Sequence, residues 1–274
     1  EEMNFLHDTP TTQTTDRPTA LEKLAQPEGS NIKRVIAVMS GKGGVGKSSV
    51  SALLASALAR RGHKTALLDA DITGPSIPKL FGLKTLPSPV DSKLLPAKSS
   101  LGISVMSLNF LLENEDDPVI WRGPLIAGAV KQFWTDVIWG EVDYMVVDLP
   151  PGTGDVPLTA LQSLPLDGVV IVSTPQDLAA MVVRKAVNMV RMLKVPVLGL
   201  IENMAWVSCP NCDEKIEPFG SSKLSAMAAD METNGLASLP LDPQISQLGD
   251  KGKIEEYQGD LSDLVSIIET VLPV

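Results

Sequence analysis

The stretch Val35-Ile36-Ala37-Val38-Met39-Ser40-Gly41-Lys42-Gly43-Gly44-Val45-Gly46-Lys47-Ser48 decides the fold. An apolar run of strand character enters a glycine-rich turn that fits G-x-x-x-x-G-K-[ST], and a helical segment follows. That order of strand, turn and helix makes a phosphate-binding loop. Glycines let the main chain take positive φ and gather several N–H groups around an anion, and the following helix aims its free N–H groups and positive dipole end at the same point. Gly43, Gly44, Val45, Gly46, Lys47, Ser48 and Ser49 are therefore the candidate ATP contacts. Lys47 supplies a mobile charge for the outer phosphates, and the Ser48 hydroxyl is a ligand for Mg²⁺.

Working outward, the segment after the loop carries Val50, Leu53, Leu54, Ala57 and Leu58 at helical spacing, with Gly62 after Arg61 as its stop. Thr65 to Leu68 reads as a short buried strand ending at Asp69-Ala70-Asp71. Lys84 to Ser100, with three prolines, reads as a loop or irregular hairpin, and Ile103 to Leu108 as a strand. Leu125 to Trp139 is a helix candidate, and Tyr144 to Val147 a strand that runs into Asp148. Val169 to Ser173 is another strand, Asp177 caps a long helix to about Leu193, and Val197 to Ile201 is a further strand. The last helix, roughly Leu261 to Leu272, is apolar on one face and acidic on the other, as a packed helix is.

Strands apolar on both faces, alternating with helices, predict an α/β P-loop NTPase fold: a mostly parallel sheet covered by helices on both faces. Ligands in such sheets gather at the carboxyl ends of the strands. Gly41 to Ser48, Asp69, Asp71, Asp148 to Asp155 and Asn203 all follow expected strands, so one sheet edge should collect them. The expected organisation is a flexible tail or linker over 1–31, with a short helix around Ala20 to Ala25, and a P-loop ATPase domain over 32–274 with a C-x-x-C insertion near 204–219. The chain does not begin with Met, which leaves room for an upstream domain.

The chain has 274 residues, 44% hydrophobic and 20% charged, enough for an ample core. Its net charge of -10 argues against non-specific binding to nucleic acid or anionic membrane, which needs clustered Lys and Arg. No apolar run reaches the ~20 residues of a bilayer span, and the N-terminus lacks the charged and apolar regions of a signal peptide. The reading is a cytoplasmic protein that binds neither nucleic acid nor membrane.

Asp148 opens Asp148-Leu149-Pro150-Pro151-Gly152-Thr153-Gly154-Asp155 at a strand end beside the phosphate loop, where a nucleotide-bound Mg²⁺ needs an oxygen acceptor. The Pro-Pro-Gly-Thr-Gly that follows has the composition of a segment that rearranges with the γ-phosphate. Asp69 and Asp71 end the second strand. One can orient the attacking water and the other support the Mg²⁺ shell; Asp71 is the preferred water-positioning residue and Asp69 the preferred metal ligand.

Cys209-Pro210-Asn211-Cys212 holds the only two cysteines. Two thiolates at this spacing hold one side of a tetrahedral site, whereas structural zinc and iron-sulfur clusters generally take four ligands. A second subunit across a two-fold axis supplies the other two. A shared iron-sulfur cluster, a zinc ion shared in the same way, and a redox disulfide or inert pair all remain open on the spacing alone.

Taken together, Ser40 through Ser48, Asp69-Ala70-Asp71-Ile72-Thr73-Gly74-Pro75-Ser76, Trp121-Arg122-Gly123-Pro124, Asp148 through Asp155, Glu202-Asn203-Met204, Cys209 through Cys212 and Pro240-Leu241-Asp242-Pro243 resemble the Mrp/ApbC family of iron-sulfur cluster carrier ATPases. That family lies in the deviant-Walker class with MinD, ParA and the nitrogenase iron protein, and the resemblance runs from about Asn31 to Gly252. It implies a homodimer with ATP at or near the subunit interface and Lys42 reaching the partner's nucleotide, which adds Lys42 to Lys47 and Asp71 as catalytic candidates. It implies adenine recognition by Asn203 and the segment around Pro240 to Asp242. It also implies a [4Fe-4S] cluster bridged by Cys209 and Cys212 of both subunits and passed to apo-proteins, with scaffold proteins as further partners. Thr73 stands where many relatives carry an aromatic residue or His. A positioning or partition ATPase of the MinD/ParA kind, and a zinc-stapled nucleotide switch, are the competing functions.

Overall fold

In the computed structural model, residues 23–71, 77–84, 87–90, 93–111, 123–212 and 214–274 are described. The strands are β1 (Ser30–Ser40), β2 (Thr65–Asp69), β3 (Ser88–Val90), β4 (Lys93–Leu95), β5 (Ala97–Lys98), β6 (Ser104–Ser107), β7 (Gly140–Asp148), β8 (Gly168–Ser173), β9 (Val197–Glu202), β10 (Val207–Ser208), β11 (Lys215–Ile216) and β12 (Gly235–Ser238). The helices are α1 (Lys47–Arg60), α2 (Ile77–Leu80), α3 (Gly123–Thr135), α4 (Asp155–Ser163), α5 (Asp177–Met192), α6 (Leu224–Asp230), α7 (Pro243–Asp250) and α8 (Ser262–Val271).

Eight strands form one sheet in the order β12-β9-β8-β1-β7-β2-β6-β5, every neighbouring pair parallel except β5 with β6. The expected α/β architecture is the one observed. β1 is central because it is apolar on both faces: Val35 to Met39 are all buried, with Ile36, Ala37, Val38 and Met39 fully so. One face packs on α3, α4, α5 and α6 through Trp134, Leu161, Val187 and Ala228, and the other on α1, α2 and α8 through Leu54, Ile77 and Ile268. Both faces of the sheet are therefore dry.

Register brings the strand ends together. Asp69 lies opposite Asp148, Val38 is also opposite Asp148, and Ser173 is opposite Glu202. The carboxyl ends of β1, β2, β7, β8 and β9 thus stop at one level, as ligand binding in such sheets requires.

Several elements differ from the sequence reading at their limits. The helix expected to run to Trp139 stops at Thr135, because the main chain of Asp136 and Ile138 instead bonds to Leu94 and the Trp139 N–H goes to Ser30 Oγ. The strand expected over Ile103 to Leu108 is β6 followed by a 3₁₀ turn over Leu108–Leu111. Asp177 is the first residue of α5 and Gln176 occupies its N-cap position. The irregular hairpin is β3 against β4.

Residues 1–22, with the first half of the expected N-terminal helix, lie outside the described residues, as do Ile72 to Ser76, Trp121 and Arg122. Residues 23–27 carry no helix or strand but are held to the domain. Lys23 Nζ donates to the carbonyls of Leu161 and Leu164 at the end of α4, and the Trp134 indole donates to the Ala25 carbonyl. Among the described residues no helix is long and apolar enough to cross a membrane.

Candidate nucleotide site and cysteine hairpin

The phosphate loop has the main-chain geometry its glycines predict. Gly44 and Gly46 both have φ of 78°, in the left-handed region, and the N-terminus of α1 carries no side-chain cap. Its first N–H groups are free to meet an anion. Val45 is buried and anchors the loop's middle. A Cβ on Gly46 would overlap the amide nitrogen of Asn203, so glycine is required there twice, by φ and by space. Gly46→Ala is expected to weaken ADP binding at least about tenfold, because the strained backbone or the displaced Asn203 must open the loop; calorimetric titration with ADP checks this.

Lys47 is buried beneath the loop. Its ammonium lies 2.9 Å from Asp148 and 3.4 Å from Asp71. Burial by itself works against the charge, but the fields of Asp148, Asp71 and Asp69 and the hydrogen bond to Asp148 outweigh it and raise the pKa. The ammonium is held charged among carboxylates at the place where phosphates would meet it. Asp148 is fully buried and accepts from Ser48 Oγ at 2.6 Å and from Ser51 Oγ at 2.7 Å. A hydroxyl and a carboxylate oxygen this close at the loop are the hard oxygen donors Mg²⁺ takes, so these residues fit that ion.

The two aspartates after β2 are not equivalent. Asp69 is fully buried; it accepts from Ser107 Oγ at 2.6 Å and from the Asp71 N–H at 3.1 Å. Asp71 is 8% exposed and turns its carboxylate toward Lys47. On the other side of the loop, Lys42 donates to the Gln176 amide oxygen at 2.9 Å, and a Cβ on Gly41 would overlap Val182, so α5 packs directly on the start of the loop.

The Asn203 side chain donates to the Val45 carbonyl at 2.9 Å. It forms one end of a cleft between Ser49, Val50 and Leu53 of α1 and the segment Pro240 to Asp242. The structure therefore brings together the residues placed at adenine by resemblance. The Asp242 carboxylate itself is engaged: it caps α7 through the Gln244 N–H at 2.8 Å and accepts from Tyr257 at 3.0 Å. Burial, then that carboxylate, pushes the Tyr257 pKa up to about 12.

Cys209 and Cys212 stand on a separate feature. β10 and β11 pair antiparallel into a short hairpin, closed by the Cys209 N–H donating to the Glu214 carbonyl, with both thiols free at its tip. Cys212 is exposed, and Ile216 and Phe219 further along the chain are exposed apolar side chains. Hydrogen bonding from the Asn211 main chain, and then from Cys212, holds the Cys209 thiol below its ordinary pKa. Among the described residues no group of three or more His, Cys, Asp or Glu side chains is placed to hold a metal ion.

Sequence reasoning missed Ser51, Ser107 and Gln176 as partners of Asp148, Asp69 and Lys42. Only Ser51 left a signal, a polar side chain one turn after Ser48 on an otherwise apolar helix face.

Residues 31–272 match the family described as ParA: NUBPL iron-transfer P-loop NTPase. An iron-sulfur cluster carrier protein of Clostridium perfringens is 44% identical over 246 residues, covering 87% of this chain and 86% of that protein. One from Aquifex aeolicus is 47% identical over 81% of this chain, which spans 61% of that longer relative. Among solved structures, the nucleotide-binding protein of Archaeoglobus fulgidus, in complex with ADP and with cobalt found in it, is 48% identical with a TM-score of 0.75, over 84% of this chain and 90% of that one. With the family model matched over residues 31–272 and a relative 44% identical over 87% of the chain, the chain belongs to the NUBPL iron-transfer family of P-loop NTPases.

Proposed function

We propose that the protein is an ATP-hydrolysing iron-sulfur carrier, in which two copies hold a [4Fe-4S] cluster between their Cys209 and Cys212 pairs and pass it to apo-proteins. The observation that carries this reading is that one strand, β9, leads into both features: Asn203 beneath the phosphate loop and, a few residues on, two free thiols, Cys209 half-buried and Cys212 exposed. Two thiols per chain supply half of the ligands a cluster takes, and the exposed Ile216 and Phe219 give a second copy apolar surface to cover.

Within the ATPase site, Lys47 exchanges its carboxylate partners for the outer phosphates. Ser48 and Asp148 hold Mg²⁺, which when bound neutralises charge developing on the phosphates. Asp148 is kept aligned by Ser51. Asp71 orients the attacking water. Asp69, with its oxygens already accepting from Ser107 and Asp71, is better suited to fixing the Asp71 main chain than to the Mg²⁺ shell named for it on sequence. Lys42, released from Gln176, reaches the nucleotide of the second copy. Asn203 and the main chain of Pro240 to Asp242 receive adenine. Hydrolysis resets the dimer and thereby times loading or release of the cluster.

Asp71→Asn is expected to lower ATP turnover about 100-fold with ADP affinity kept within about threefold, since the substitution removes the negative charge and one of two acceptor oxygens that orient water but no phosphate contact. Equal losses in turnover and affinity would move the water-positioning role elsewhere. The carrier reading itself is tested by anaerobic reconstitution with iron and sulfide: about four of each per dimer support it. Stable zinc with no cluster sinks it.

A further inference from the structure

The cleft taken above as the adenine site is narrow. Its free volume is about 70 Å³, well below the ~300 Å³ at the low end of ligand pockets. A purine enters only if a wall gives way. The α1 wall is fixed, since Val50 and Leu53 are buried and packed into the core. The opposite wall, Pro240 to Asp242, follows the edge strand β12 after the buried Leu239 and carries Leu241 with 39% of its surface exposed. That wall is the less tightly packed of the two.

Its neighbours are the root of the cysteine hairpin. The Leu239 N–H donates to the Glu202 carbonyl at 2.8 Å, the Ala205 N–H to Leu239 at 2.9 Å, and the Leu241 N–H to Trp206 at 2.8 Å. Trp206 leads directly into β10, and Lys215 of β11 lies over its ring at 4.2 Å. The return limb is tied to the same place. Glu202 is 3% exposed, and its carboxylate accepts from Ser222 Oγ at 2.5 Å and from the Lys223 N–H at 3.0 Å. Between these ties sits Met204, a non-glycine residue with φ of 58°, a conformation held only when its surroundings enforce it.

Resting on the nucleotide reading given above, we propose that the cleft wall and the cysteine hairpin move as one body, with Glu202 as the clamp that joins the hairpin's return limb to it. Base binding then sets the orientation and exposure of Cys209 and Cys212 within the same chain. Glu202 acts as a positioning residue: it is at neither the phosphates nor the thiols.

The test uses the full chain, reduced and metal-free. Because Cys209 and Cys212 are the only cysteines, the mass of the whole protein reads their alkylation by iodoacetamide without ambiguity. In the native chain, saturating Mg-ATP should change that rate at least about fivefold, the low end of ordinary coupling between sites. In Glu202→Ala the ratio should fall to within about twofold of unity while ATP turnover stays within about twofold of native. Glu202→Gln, which keeps an acceptor for Lys223, should restore much of it. Ser222→Ala, an exposed change that cannot unfold the core, should lower the ratio in the same direction and decides the matter if Glu202→Ala folds poorly.

An undiminished ratio in both Glu202→Ala and Ser222→Ala overturns the inference and assigns any coupling to the subunit interface. Mg-ATP that binds calorimetrically without altering alkylation overturns it as well. No calorimetric binding of ATP overturns the nucleotide reading and the inference with it. Since no iron enters the assay, failure of the cluster reading leaves these outcomes untouched.

Discussion

Lys47→Ala is expected to lower ATP turnover roughly 100- to 1000-fold, the effect of withdrawing a preorganised charge from a water-excluded site. The lysine is the buried cation among Asp69, Asp71 and Asp148, and its ammonium sits where the phosphates would displace those carboxylates. Its removal leaves Asp148, fully buried, with the Ser48 and Ser51 hydroxyls but no counter-charge. Breaking one partner of a buried pair costs roughly 3–5 kcal/mol, so the melting temperature should fall as well. The two losses separate on addition of ADP and in Lys47→Arg. Arginine keeps the positive charge and much of the stability, but its planar fork does not reproduce a point charge on a stem, so turnover should stay low. Because the Lys47 pKa is raised, its contribution to stability is complete below the ordinary lysine value and is lost only as pH rises past the raised one. Turnover within about threefold of native in Lys47→Ala would sink the phosphate-loop assignment.

The legible parts of the fold were those where one residue type has one use. Gly44, Gly46 and Lys47 announce their geometry because a left-handed main chain and a phosphate admit few other solutions. The strand ends were legible because parallel strands read as unbroken apolar runs stopping at Asp69, Asp148 and Glu202. α4 was not assigned, because Pro157 and the preceding Pro-Pro-Gly look like a turn; in fact Pro157 sits in the first helical turn, where its missing N–H would have had no partner. α7 was also passed over although Asp242-Pro243 is an N-cap followed by proline, a start signal in its own right. What no local pattern could supply is distance across the chain. The difference between Asp69 and Asp71 depends on Ser107, and the hold on the hairpin depends on Glu202 meeting Ser222, each a contact of the folded sheet rather than of neighbouring residues.

Cys209→Ala should take reconstituted iron from about four per dimer to below about one, with sulfide falling in parallel. Each chain brings two thiols on a two-strand hairpin, and the change deletes one from each copy, so in the proposed bridge two of four ligands would vanish together by symmetry. Water or buffer thiols replace them poorly in a transferable cluster. The hairpin is closed by the Cys209 main-chain N–H, which alanine keeps, so its shape survives the substitution. ATP hydrolysis should therefore continue, since Lys47, Asp71 and Asp148 are untouched. Sedimentation of the same samples separates two causes of cluster loss. If the variant remains dimeric with ATP but holds no iron, the thiols are cluster ligands. If it is monomeric in every nucleotide state, the cluster itself supplies the contact, and the exposed Ile216 and Phe219 alone do not hold the pair together. Full iron in the variant would place the cluster on other ligands and remove the bridge between subunits from the account.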